Sequence, residues 1–288
     1  MQRYYRIGNL TIEYQGPDFQ ESAELKAFQL EAANPDMRPD IRCNLQPVER
    51  IELPENCANS KANWKRDLEY IINTKDGRIS CLTDPDKNIE LLVTEAADRE
   101  AARVHQGLVL NRYANKLGIS PILRVLDLPY EILRHGGVFL HASFIEWRGK
   151  AILFTAPKQT GKSTQAALWE KYKGAEIING DRSLLRKAGG RWQAFGSPYC
   201  GTSHICKNKA VPIAAIVILG QAKENHLRKA ATMEALRALL DGCSYDTWDK
   251  EQVIRMMDIA NDLIKNLTFW KLDCLPDKSA VELLETIL

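Results

Sequence analysis

The chain has 288 residues, 45% apolar and 26% charged, and a formal net charge of +2. That is an ordinary globular composition, long enough for two domains or one large one. So balanced a charge makes no electrostatic case for nucleic acid or an anionic membrane as a main partner. No apolar run approaches the roughly 20 residues of a membrane-spanning helix.

The seven cysteines (Cys43, Cys57, Cys81, Cys200, Cys206, Cys243, Cys274) are scattered, odd in number and form no CxxC pair. No apolar export segment follows Met1 to Arg6, so reduced thiols in a cytoplasm are expected. Cys200 and Cys206 flank a loop of interest but read as small apolar residues.

Residues 1–115 read as a strand-rich domain. Tyr4 to Ile7 and Leu10 to Tyr14 flank Gly8-Asn9, a hairpin turn signal. A short helix is expected within 18–33, before Asn34-Pro35. Asp40 to Leu45 and Glu49 to Leu53 alternate as half-buried strands do, and 54–63 is a polar loop. Leu68 to Ile72 and Arg78 to Leu82 flank Lys75-Asp76-Gly77, a second hairpin, and Asn88 to Thr94 is another strand. The expectation is an antiparallel sheet without visible chemistry, its acids (Asp36, Asp40, Glu55) solvated.

Residues 96–134 read as helical, although Val104, Leu108 and Val109 also suit a strand. Ser120-Pro121 is a helix start, Pro129 should kink that helix or reset it into two short ones, and Gly136-Gly137 should end it. From 138 the pattern changes. Val138 to Ser143 and Ala151 to Thr155 are apolar runs of buried-strand type. The second leads through Ala156-Pro157-Lys158-Gln159-Thr160 into Gly161-Lys162-Ser163-Thr164 and a run of helix formers. Strand, loop, Gly-Lys-Ser/Thr, helix is the context of a phosphate-binding loop. Unpaired N–H groups and the helix dipole favour an anion there, Lys162 can reach β- and γ-phosphates, and the Ser163 hydroxyl can bind Mg²⁺. The pattern departs from the usual one at Ala156, where the first glycine normally stands, and at Gln159.

Lys173-Gly174 ends that helix. Glu176 to Asn179 is a short buried strand followed by Gly180 and Asp181, a carboxylate where such folds place a metal-binding or proton-accepting acid. Leu184 to Arg186 and Trp192 to Phe195 make a hairpin around Gly189-Gly190. Gly196 to Ser203 is a small-residue loop with amides available to an anion. Ile213 to Leu219 is a strand, Ala231 to Leu240 and Trp248 to Leu267 are helices, Thr268 to Leu272 is a strand and Ser279 to Leu288 a closing helix.

The ordered set Phe-Leu-His141-Ala-Ser, Gly161-Lys162-Ser163-Thr164, Gly174, Asp181, Gly196-Ser197-Pro198 and Gly201-Thr202-Ser203 resembles the C-terminal domain of HPr kinase/phosphorylase and the PEP-carboxykinase-like P-loop kinases. Peptide-modifying serine kinases of natural-product clusters look similar over the same span, roughly half the chain. The resemblance implies an α/β fold: a P-loop core of mixed sheet flanked by helices over 116–288, with the strand-rich domain at 1–115 outside it. It also implies an ATP- and Mg²⁺-dependent kinase acting on a hydroxyl of a protein, peptide or small molecule. In it His141 lies near the phosphates and Asp181 matches the second of two adjacent aspartates, the first being Gly180 here. Asp181 or His141 would accept the hydroxyl proton and Ser163 and Asp181 hold the metal.

Each residue has a plainer alternative: His141 as a hydrogen-bonded core histidine, Asp181 as a turn cap, and Lys207 and Lys209 as solvated. Arg228 is a candidate nucleotide contact. The competing function is a non-catalytic nucleotide- or peptide-binding protein derived from such a kinase. The N-terminal sheet is expected to help recognise the acceptor by pairing an extended peptide to a strand edge. Self-association is left open.

Overall fold

A computed structural model describes residues 1–31, 38–54, 62–74, 77–96, 103–114 and 122–288. The expected Asn34-Pro35 break, Asp36, Glu55, Lys75-Asp76 and the Ser120-Pro121 helix start lie outside the described residues. The chain divides into two compact units, Met1–Leu128 and Pro129–Leu288. The sequence had suggested a division near 115.

The first unit is an eight-stranded sheet. Its strands are β1 (Gln2–Ile7), β2 (Leu10–Gln15), β3 (Ile41–Val48), β4 (Trp64–Arg66), β5 (Glu69–Asn73), β6 (Arg78–Thr83), β7 (Ile89–Ala96) and β8 (Arg103–Leu110). They run in the order β1-β2-β3-β8-β7-β6-β5-β4. Gly8 and Asn9, at φ 58° and 64°, give the first hairpin the left-handed turn that matches strand twist. The sheet is mixed rather than antiparallel, because β3 runs parallel to both β2 and β8. Parallel neighbours need a long crossover, which residues 16–40 supply with the short helix α1 (Ala23–Lys26). Within the stretch read as helical, Arg103–Leu110 is the strand β8, where Val104, Leu108 and Val109 had also suited a strand. Ile51 and Leu53 are not in a strand; they pack as irregular chain on the cluster of Ile72, Ile79, Cys81 and Leu92. The outer edge of β1 is covered: Arg6 N donates to Phe28 O and Leu30 N to Tyr4 O, both at 2.8 Å. The expected peptide edge therefore narrows to three-residue β4. Asp40 is a structural acceptor, taking the Thr11 N–H at 2.7 Å.

Short helices α2 (Asn111–Ala114) and α3 (Ile122–Val125) precede α4 (Leu128–Arg134), which carries Pro129 in its first turn. The second unit then has β9 (Gly137–Trp147), β10 (Lys150–Thr155), α5 (Lys162–Lys173), β11 (Glu176–Asn179), β12 (Arg182–Ala188), β13 (Arg191–Phe195), β14 (Ala210–Gln221), β15 (His226–Lys229), α6 (Thr232–Gly242), α7 (Lys250–Asn266), β16 (Phe269–Cys274) and α8 (Lys278–Glu285). β9 serves two ladders. Gly137 to His141 pair antiparallel with β12, and Ala142 to Trp147 pair with β10. β14 does likewise, pairing with β13 through Val211 and Pro212 and then parallel to β10 and β16.

Alternation along β10 sets the layers. Ala151 and Leu153 face Leu239 of α6 and Met256, Ala260 and Leu263 of α7. Ile152 and Phe154 face Trp169 of α5 and Val281 and Leu284 of α8. A strand covered by helices on both faces must be apolar throughout, hence the unbroken run in the sequence. Trp169 is fully buried, its ring edge-on to Trp147 at 5.2 Å. Gly174 closes α5 at φ 64° and Gly189-Gly190 turn the β12–β13 hairpin at φ 57° and 76°. The molecule is a mixed α/β protein with two mixed sheets flanked by helices.

Candidate functional site

β10 ends at Thr155, and the chain turns through Ala156–Gly161 before α5 begins at Lys162. Two loop residues are left-handed: Gln159 at φ 63° and Gly161 at φ 115°. Gly161 is the helix N-cap and supplies no side chain, so the amides of the first turn of α5 are uncapped. Thr160 Oγ1 closes the loop on Pro157 O at 2.9 Å. A left-handed glutamine costs roughly 1 kcal/mol. Gln159→Gly is therefore expected to raise the chain's stability by about 0.5–1 kcal/mol in urea denaturation. An unchanged or lowered midpoint would mean that the loop stores no strain there.

Lys162 is 8% exposed. Its ammonium donates to Ala156 O at 2.9 Å and to Pro157 O at 3.2 Å, curling over the loop. Burial lowers its pKa, Asp181 pulls it back up and Lys158 lowers it again. Ser163 and Thr164 are exposed on the same first turn, as are Pro157, Lys158 and Gln159 in the loop.

His141 and Asp181, far apart in sequence, meet because β9 and β12 pair His141 with Arg182. His141 Nε2 lies 3.2 Å from Asp181 Oδ1, both side chains about one-third exposed or less, 28% and 35%. Burial holds the imidazole pKa below its ordinary 6.5, Lys162 lowers it further and Asp181 opposes both. The lowered pKa favours the neutral ring, and a carboxylate facing Nε2 favours the tautomer with its proton on that nitrogen. Asp181 is held by its backbone. Its N–H donates to Asn179 Oδ1 at 3.0 Å and its carbonyl accepts from Ala142 N at 2.9 Å. Asn179 is fully buried and donates in turn to Ser197 O at 3.0 Å. Sequence reasoning gave Asn179 and Ser197 no part in this; a buried asparagine two residues before a candidate acid was the available signal.

Gly180 has a steric reason. A Cβ there would sit 2.0 Å from Ser203 Oγ and 2.7 Å from Ser203 Cβ, so a second aspartate has no room. Gly201, at φ 58°, packs on Asp181: a Cβ there would lie 2.9 Å from Asp181 Cβ. The Gly196–Ser203 loop is less available to an anion than its composition suggests. Its Gly196 N–H is taken by Lys209 O and its Tyr199 N–H by Ser197 Oγ.

A cavity of about 610 Å³ opens beside the loop. His141, Thr155, Ala156, Pro157 and Lys158 form one wall, and Glu234, Arg237 and Asp241 of α6 face them, with Lys271 of β16. It lies at the carboxyl ends of the parallel strands β10, β14 and β16, where open α/β sheets bind ligands. Arg228 is not among its lining residues. Its guanidinium makes two 2.7 Å bonds to Glu234, whose carboxyl it pulls down to about 2. Lys207 and Lys209 are exposed, as expected, and each also pairs with Glu176 at 2.7 Å.

The residues at the site suit a triphosphate with Mg²⁺. The uncapped amides and the buried Lys162 ammonium offer donors and positive charge, while the Ser163 hydroxyl and Asp181 carboxylate are hard oxygen ligands of the kind that ion takes. Among the described residues no helix is long and apolar enough to cross a membrane.

No protein-family model matches the chain, and neither does any curated protein. Among solved structures it is similar to the Hpr(Ser) kinase/phosphatase from Coxiella burnetii, at 12% identity over 44% of this chain and 91% of that one, with a TM-score of 0.26.

Proposed function

We propose that the second unit is an ATP- and Mg²⁺-dependent kinase that transfers the γ-phosphoryl group to a hydroxyl, with a serine of a protein or peptide as the first candidate acceptor and a small molecule as the second. The observation that carries this reading is that Lys162, at the uncapped start of α5, lies within electrostatic reach of the His141–Asp181 pair, beside a cavity that His141 and the loop residues Ala156, Pro157 and Lys158 line. Lys162 and the loop amides would bind and orient the phosphates. Ser163 and Asp181 would hold the metal, which when bound neutralises charge on the transferring group. Asp181, steadied by neutral His141, would take the acceptor hydroxyl's proton. Catalysis of this type is mostly positioning and charge stabilisation.

A specific observation favours a second reading. Ser203 fills the space a second acid would need beside Gly180, so one carboxylate has both tasks, and a nucleotide-binding protein without turnover would tolerate that. Incubating the protein with γ-labelled Mg-ATP and a panel of serine peptides, proteins and small alcohols separates the two. Acceptor-dependent ADP release with label on a hydroxyl is the expected result. Saturable ATP binding with no acceptor-dependent release across the panel would establish the binding protein instead.

A further inference from the structure

Two cysteines meet beside the candidate site. Cys200 and Cys206 face each other Sγ to Sγ at 2.6 Å, as a pair of thiols. The loop between them is tied at both ends to the strand-and-turn segment carrying Asp181. Tyr199 O accepts from Arg182 N at 3.2 Å, Ile205 O from Gly180 N at 3.2 Å, and Lys207 N donates to Ile178 O at 2.9 Å. Ser203 Oγ donates back to Cys200 O at 2.7 Å, and Gly201 rests on Asp181. The thiols are thus held together by a framework whose other member is the site's carboxylate. Cys200 is 3% exposed while Cys206 is only partly buried, so Cys206 is the more accessible residue of the pair. An accessible attacking thiol with a resolving thiol at its back is the arrangement that thiol–disulfide exchange requires.

We propose that Cys200 and Cys206 form a reversible dithiol–disulfide site that reacts with small-molecule disulfides and that its closure alters the setting of Asp181. The Cys206 thiolate attacks one sulfur of oxidised glutathione, forming a mixed disulfide and expelling one glutathione thiolate. Cys200, deprotonated, then attacks the Cys206 sulfur and expels the second. Two protein S–H groups and one glutathione S–S bond become one protein S–S bond and two glutathione thiols, and the glutathione disulfide takes up the two electrons. The new bond fixes the loop bearing Gly201 over Asp181. This second half of the proposal rests on the kinase reading, whereas the dithiol itself does not.

The test uses the full chain and graded ratios of oxidised to reduced glutathione, followed by alkylation, tryptic digestion and mass measurement. Trp192 to Lys207 is released as one peptide holding both sulfurs. The expected result is loss of two hydrogens from that peptide, without a retained glutathione, reversed by dithiothreitol. Cys200→Ser should instead trap one glutathione on Cys206. A peptide that keeps both thiols at every ratio, or holds adducts and never closes, overturns the site. On the same samples, acceptor-dependent ADP release should fall by about tenfold on oxidation and be unaffected by oxidation in Cys206→Ser. Closure with an unchanged rate would overturn the link to Asp181. Should no phosphotransfer exist at all, the peptide mass still decides the dithiol, so the two failures are told apart.

Discussion

Replacing Lys162 with alanine is expected to lower acceptor-dependent ADP release by about 10³-fold or more, about 4 kcal/mol of lost transition-state stabilisation. The side chain is committed to the loop, bonded to the carbonyls of Ala156 and Pro157. It is also drawn electrostatically towards Asp181. A triphosphate arriving at the uncapped start of α5 would exchange those carbonyl bonds for phosphate oxygens. Alanine leaves that anion with backbone amides alone. The fold should survive, because the two carbonyls sit in a loop that water reaches and each lost bond is worth about 1 kcal/mol. Steady-state rates and calorimetric ATP titration check both parts. Unchanged ATP affinity and turnover would remove the loop's assignment as a phosphate site.

Replacing Asp181 with asparagine should reduce the rate at saturating Mg-ATP by at least about 10²-fold, the range of a lost general base. Asparagine keeps the shape and can still accept from His141, so the loss would belong to charge and proton acceptance. The pH profile supplies a second readout. Protonating His141 would set a full positive charge against the Asp181 carboxylate and weaken it as a base, so activity should fall as pH drops below the ordinary histidine range. Asp181 is the group that supports positive charge on His141 against burial and Lys162. Without it the imidazole pKa moves lower still, and the acid limb of the residual activity should shift to lower pH. Rates within tenfold of the parent would pass the proton-accepting task to another group.

The stretch from Ala151 to Gly174 was legible because local rules agree there: an apolar strand, a left-handed glycine, strong helix formers and a glycine stop. The hairpins at Gly8-Asn9 and Gly189-Gly190 were legible for the same reason. What the sequence hid were partners set by register. Nothing in the residues 41–48 or 103–110 says that those strands lie parallel, because parallel pairing leaves no turn signal between neighbours. Arg228 looked available because Glu234, which reaches back to accept the Ala231 N–H at 2.9 Å, is brought to it only when the chain turns from β15 into the first turn of α6. Gly180 looked like a missing acid until Ser203 was seen in the space. Asp181 was legible from its place at a strand end and His141 from a family resemblance, and their contact comes from the β9–β12 pairing.

The double duty of β9 has a consequence for anyone transplanting or redesigning this site. His141 is the last residue of one ladder and Ala142 the first of the next. Side chains alternate along a strand, so a slip of one residue in either pairing would turn the imidazole away from Asp181 and present a methyl group in its place. The spacing of the pair is therefore written in strand alignment more than in any rotamer. A graft that copies His141, Asp181 and the loop without both ladders of β9 would carry the parts and lose the ruler that spaces them.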